Sequence, residues 1–211
     1  MINLKFVVEG KDPRSKGFNV GLDGISLEPK RKYIPDWHLV GPFPNPRRTE
    51  ADRKGLDSVY SPEKDVDLNS LYTGKNLQQL RWQYILTPET GYINLTDKVN
   101  PYELTVCYAV TYIYATKPEV VSLFLGTDDG AKVFFNNKVV YRYLGIRVAE
   151  PDQAEIPLSV KPGWNKLLIK IENNMGGYGF YARLTDRDST LVLSADQMLP
   201  VKSNNNLKRK K

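Results

Sequence analysis

The chain has 211 residues, 41% of them hydrophobic and 26% charged, with a formal net charge of +6. These fractions are those of an ordinary globular domain and exclude a disordered or collagen-like chain. No apolar run approaches the ~18 residues of a membrane span. The opening Met1-Ile2-Asn3-Leu4-Lys5 lacks a basic stretch followed by an apolar one, so no signal peptide is read there. The single cysteine, Cys107, excludes an internal disulfide and a thiolate metal cage, and the single histidine, His38, excludes a multi-histidine metal site. Lys202, Lys208, Arg209, Lys210 and Lys211 supply five of the six net charges. The body is therefore close to neutral and the excess sits in a solvated tail. No recognition motif accompanies that tail, and neither a nucleic-acid nor a membrane partner is expected.

In chain order, Leu4–Lys11 and Phe18–Leu27 read as two strands around a polar turn. Two strands alone are marginal in water. Residues 1–29 are therefore expected to be the last hairpin of a preceding β-sandwich, and residues 30–35 a linker. Further strands are expected at His38–Gly41, Leu80–Leu86, Glu103–Ala115, Val120–Leu125, Ala131–Asn136, Lys138–Tyr143, Glu155–Val160, Asn165–Glu172 and Gly179–Leu184. Asn136-Asn137 reads as a tight hairpin turn, because asparagine tolerates positive φ. Lys161-Pro162-Gly163 is a second turn, with proline pre-setting φ and glycine free to go left-handed. Short strands with turns about every ten residues indicate an all-β fold, an antiparallel β-sandwich or jelly roll, over residues 36–196. Residues 47–57 read as a short helix at most. The long polar segment from Pro44 to Gln79 is expected to pack along the sandwich, pinned by Tyr60, Leu68 and Tyr72. Residues 197–211 read as a disordered basic tail.

Trp37-His38-Leu39-Val40-Gly41-Pro42-Phe43, Leu80-Arg81-Trp82, Leu125–Lys138, Lys161–Asn173 and Gly177-Tyr178-Gly179-Phe180 together resemble the galactose-binding-like jelly-roll modules of bacterial polysaccharide-degrading enzymes. They are also similar to the sugar-binding sandwich of β-galactosidase-type glycoside hydrolases. The first thirty residues resemble the end of a tandem-jelly-roll glycoside hydrolase of fructofuranosidase or difructose-anhydride type. The resemblance implies a carbohydrate-binding accessory domain working in the periplasm or outside the cell. Its partners would be an oligo- or polysaccharide and an upstream catalytic jelly-roll domain or a second copy.

Six residues are candidate ligand contacts. Asp128 and Asp129 precede Gly130 in a strand-to-strand loop. Two adjacent carboxylates there suit a calcium ion or sugar hydroxyls, while the plainer reading is an aspartate-glycine turn. A cis-linked acidic pair binds calcium and sugar in protective-antigen-type adhesin domains, whose further ligands come from a loop without a match here. Asn173 and Asn174 can both donate to and accept from hydroxyls. Tyr178 offers a flat apolar face to a pyranose ring. The alternative for this loop is a bulged turn with Tyr178 covering the sandwich end. Trp82 is expected to be the most exposed tryptophan, with Trp37 and Trp164 in the core. On the strand around Tyr108, period two puts Tyr108, Tyr112 and Tyr114 on one face. Packing beneath the Pro44–Gln79 segment is preferred there to a ligand platform.

No catalytic residue is assigned. The acids Asp57, Glu63, Asp65 and Asp67 sit in a polar segment, and no nucleophile elbow, phosphate loop or zinc spacing occurs. No cofactor is expected, a structural calcium at Asp128-Asp129 being the one candidate. The sequence thus points to a non-catalytic carbohydrate-binding or buttressing module. A structural sandwich without sugar affinity is the alternative, and a glycosidase in its own right stands behind both.

Overall fold

A computed structural model describes residues 32–47, 49, 52–186 and 190–199, and residue 14. The hairpin expected at residues 4–27 and the tail beyond residue 199 lie outside the described residues. In chain order the strands are β1 (Asp36–Pro44), β2 (Tyr72–Thr73), β3 (Gln79–Leu80), β4 (Gln83–Leu86), β5 (Ile93–Asn94), β6 (Thr105–Ala115) and β7 (Glu119–Asp128). They continue with β8 (Gly130–Phe135), β9 (Lys138–Tyr143), β10 (Ala154–Val160), β11 (Gly163–Asn173), β12 (Gly179–Leu184) and β13 (Val192–Ser194). A four-residue helix, α1 (Ser61–Lys64), opens with proline in its first turn.

Two antiparallel sheets form the sandwich. The larger runs β4-β1-β6-β11-β8-β9, with β13 pairing the far end of β6, and the smaller runs β10-β7-β12-β5. The antiparallel β-sandwich expected from the sequence is the observed fold. Both turns with a stated mechanism take the required conformation: Asn136 and Asn137 have φ of 48° and 66°, and Gly163 has φ of 90°.

Period two sorts the residues of the larger sheet. Cys107, Ala109, Ile113, Leu167, Ile169 and Ile171 join Leu123, Leu125, Ile156, Leu158 and Phe180 in the core between the sheets. The alternate residues Val106, Tyr108, Val110, Tyr112 and Leu168 form a second core on the outer face. That outer core is closed by Tyr60, Val66, Leu68 and Tyr72 from the Pro44–Gln79 segment. The Tyr60 hydroxyl donates to the Pro44 carbonyl at 2.5 Å, and the Tyr72 hydroxyl to the Asp67 carbonyl at 3.0 Å. β6 is a continuous apolar run because both of its faces are covered.

The outer core is stitched by buried charge. Lys170 is fully buried and its Nζ donates to the Ser58 carbonyl and to Glu63 Oε1, each at 2.6 Å. Tyr108 donates to the same Glu63 oxygen at 2.6 Å. Burial pulls the Lys170 ammonium down to about 8, against the Glu63 hydrogen bond that holds it up. Nearby, fully buried Glu172 meets Arg53 Nε at 2.5 Å and accepts from Asn45 Nδ2 at 2.7 Å.

Three expectations need correction. Trp82 is only 8% exposed. It packs edge-on to Tyr72, and its indole N–H donates to the Tyr72 hydroxyl at 3.1 Å. The half-buried tryptophan is Trp164, at the edge of the outer core. The described part of residues 47–57 holds a 3₁₀ turn at Asp52, an Arg47–Arg53 bridge and turns from Gly55 to Asp57, and the α-helix lies later at α1. Part of the expected linker is built into the sandwich: Ile34 is fully buried, and its N–H donates to the Ala182 carbonyl at 3.0 Å.

Candidate functional site

The loop before β8 and the loop after β11 were singled out separately in the sequence, and the fold brings them together. The β8–β11 register sets Gly130 opposite Glu172, and the Asp129 N–H donates to the Glu172 carbonyl at 3.0 Å. Asp129 Oδ2 then accepts the Asn174 N–H at 3.0 Å, and Oδ1 accepts the Arg147 N–H at 3.0 Å. The Asp128–Asp129 peptide is cis. Asp129 thereby ties three chain segments together at one end of the sandwich.

Two arginines complete the latch. Arg147 donates from Nε to the Thr127 carbonyl at 3.0 Å and from Nη2 to the Thr127 hydroxyl at 2.7 Å, and its guanidinium lies 3.9 Å from the Tyr143 ring centroid. Arg47 donates from Nη1 to Asn174 Oδ1 and reaches Met175 Sδ from Nη2 at 3.6 Å. Neither arginine was legible as part of a site, because the groups to which each donates hydrogen bonds lie eighteen or more residues away in sequence.

The six sequence candidates separate into roles. Tyr178 is fully buried in the inner core, and its hydroxyl donates to the Ile171 carbonyl at 2.8 Å. Its ring is therefore not a face for a sugar, which corrects that expectation in favour of the core plug. Asn173 is fully buried and spends its amide on the Tyr102 carbonyl at 2.8 Å. Asp129, 2% exposed, is committed to backbone N–H groups. Trp82 lies in the outer core, away from these loops. Asp128 and Asn174, 7% and 5% exposed, lie just beneath the exposed tip Met175-Gly176-Gly177 that forms the rim.

Asp128 is the electrostatic anomaly. Its carboxylate has no hydrogen-bond partner among the described residues, and burial together with the Asp129 charge raises it to about 6. A Cβ on Gly177 would stand 2.6 Å from its Oδ2, so glycine leaves the carboxylate room. Beside the rim lies a cleft of about 530 Å³ lined by Pro46, Arg47, Asp52 and Lys54.

The donor set does not fit a calcium ion, which takes six to eight oxygens. Both Asp129 oxygens accept backbone N–H groups, and Asn174 Oδ1 accepts from Arg47. Besides the Asp128 carboxylate, Glu172 Oε2 and Asn173 Oδ1 lack hydrogen-bond partners, but among the described residues no three acidic, histidine or cysteine side chains converge on a metal position. Arg47 and Arg147 supply the positive charge that would otherwise be wanted there.

His38 and Cys107 are structural, as read from their strand positions. His38 Nε2 lies 2.7 Å from Asp196 Oδ1. Cys107 is buried, and burial raises its thiol to about 12.

These strands and loops define an antiparallel β-sandwich domain with a polar rim at one end. Solved structures to which it is similar include glycoside hydrolases and a PA14 domain. A family 2 glycosyl hydrolase from Bacteroides cellulosilyticus DSM 14838 is 11% identical, with 74% of this chain and 20% of that chain covered and a TM-score of 0.41. A β-glucuronidase from an uncultured Clostridium sp. is 12% identical over 72% of this chain and 24% of that chain, with a TM-score of 0.39. The PA14 domain of the MpAFP antifreeze protein is 16% identical over 44% of this chain and 50% of that chain, with a TM-score of 0.35. The chain thus spans a quarter or less of the two hydrolases and half of the PA14 chain. No family model and no curated protein matches the sequence.

Proposed function

We propose that the chain is a non-catalytic carbohydrate-binding module, of the kind that accompanies polysaccharide-degrading enzymes outside the cytoplasm, and that it holds sugar at the Asp128 rim. The observation that carries this reading is the unpartnered Asp128 carboxylate. It is held in place by a fully bonded Asp129 and bordered by Asn174, Arg47 and the bare backbone of Gly176-Gly177. A sugar offers adjacent hydroxyls that donate to a carboxylate, and it can lie against glycine backbone without a clash. Hydroxyl donors favour the charged form, so binding is expected to weaken as pH falls through about 6.

The test is titration of the full chain with galactose and with a soluble β-glucan, followed by amide NMR shifts or calorimetry. Binding that disappears in Asp128→Asn with an unchanged circular dichroism spectrum supports the rim. Binding that survives Asp128→Asn, or no binding to either sugar, overturns it. A second reading is a buttressing sandwich without sugar affinity. It is favoured by the use of Asn173, Tyr178 and Asp129 as internal fasteners.

A further inference from the structure

The free edges of the two sheets are defended unequally. β10, one edge of the smaller sheet, carries Pro157 in mid-strand, and β5, the other edge, has two residues. β9, one edge of the larger sheet, carries Lys138 and Arg142 and a register shift against β8. Self-pairing would set its like charges near one another. Besides the three-residue β13, the other edge of the larger sheet among the described residues is β4, Gln-Tyr-Ile-Leu with no charge, proline or bulge. Its outward residues Tyr84 and Leu86 are 48% and 66% exposed.

Register shows which groups β4 leaves open. The Thr87 N–H donates to the Pro35 carbonyl at 2.8 Å, continuing the ladder in which Ile85 faces Trp37 and Gln83 faces Leu39. Hydrogen-bonded pairs alternate along an antiparallel ladder. The odd residues of β4 are therefore bonded to β1, and Tyr84 and Leu86 present their N–H and C=O groups to the open side.

We propose that β4 pairs antiparallel with β4 of a second copy, on a two-fold axis through Ile85. That register sets Tyr84 opposite the partner's Leu86 twice, using all four open N–H groups of the two strands and joining the exposed apolar side chains. It also sets Arg81 opposite the partner's Glu89 twice. Arg81 and Glu89 are both exposed and have no ion-pair partner among the described residues. Shifting the register by two residues brings Pro88, which has no N–H, opposite Tyr84, or replaces the Arg81–Glu89 pairs with Arg81–Thr87. Neutrality of the strand and opposite charge at its flanks thus select a second copy as the occupant. The dimer does not depend on sugar binding at the Asp128 rim.

Sedimentation velocity of the full chain over a concentration series tests it. The expected result is a monomer–dimer equilibrium that Leu86→Lys abolishes while the circular dichroism spectrum is retained. Arg81→Glu should weaken association about tenfold, and the double swap Arg81→Glu with Glu89→Arg should restore it. A chain that stays monomeric at every concentration overturns the proposal. So does a dimer indifferent to Leu86→Lys, or a double swap that fails to rescue.

Discussion

The two faces of the larger sheet solve the same burial problem differently. The inner face meets the smaller sheet mainly through apolar side chains, with Ile169, Ile171 and Leu167 at its centre and no buried ion pair like that of Lys170. The outer face meets the Pro44–Gln79 segment, and that segment brings backbone carbonyls and carboxylates with it. A sheet can cover another sheet with side chains, because the backbone groups of its interior strands are already paired within it. An irregular segment leaves carbonyls unpaired, and a buried polar backbone group needs a partner. Lys170 supplies one for Ser58, and Glu63 then balances the lysine. The polar stitching of the outer core follows from the irregularity of what covers it.

Adjacent residues break the comparison most directly. Lys170→Ala leaves Glu63 buried and unbalanced and should cost about 3–5 kcal/mol in urea unfolding. Ile169→Val, one residue away on the inner face, should cost about 0.5–1.5 kcal/mol. Equal losses at the two positions would mean that Lys170 is solvated rather than clasped. Trp82→Phe keeps an aromatic in the outer core but strands the Tyr72 hydroxyl contact, and should cost about 1–2 kcal/mol, read by the same unfolding midpoint.

The smallest effect has the sharpest pH signature. The folded state raises Asp128 from 3.8 to about 6, so it binds a proton that the unfolded chain does not hold between those values. Stability from this group therefore rises as pH falls from about 6 towards 4. Asp128→Asn removes the buried charge and should raise Tm by a few degrees at pH 7.5. The gain should fade as the pH approaches 4, as followed by differential scanning fluorimetry at several pH values.

The strand pattern was legible because alternation and turn chemistry act locally. β6, β7, β8, β9, β10, β11 and β12 each lie within a few residues of the runs read from sequence. The short strands β2, β5 and β13 were not read, since two or three residues carry no period, and β3 and β4 were read as one run, Leu80–Leu86. The candidate site was half legible. The Asp128–Gly130 turn and the Asn173–Gly177 loop announce themselves by composition, but their meeting does not. Tyr178 and Trp82 look alike in sequence whether they cap a core or face a sugar. Lys170 and Glu172 alternate with apolar residues, which in a strand ordinarily marks a solvated face. Here the face is covered and both side chains are buried.

The sequence by itself determined the all-β class, most of the strands, the two tight turns and the buried setting of Cys107. Each of these follows from neighbours along the chain, where side-chain period and backbone preference operate. Only the tertiary structure decided which polar residues are fasteners and which are free. It set Asp129 against Asn174 and Arg147, buried Lys170 against Glu63, and, among the described residues, left Asp128 without a hydrogen-bond partner and β4 open at its edge. A polar side chain's role is fixed by what the fold places within hydrogen-bond reach, and those partners lie tens of residues away.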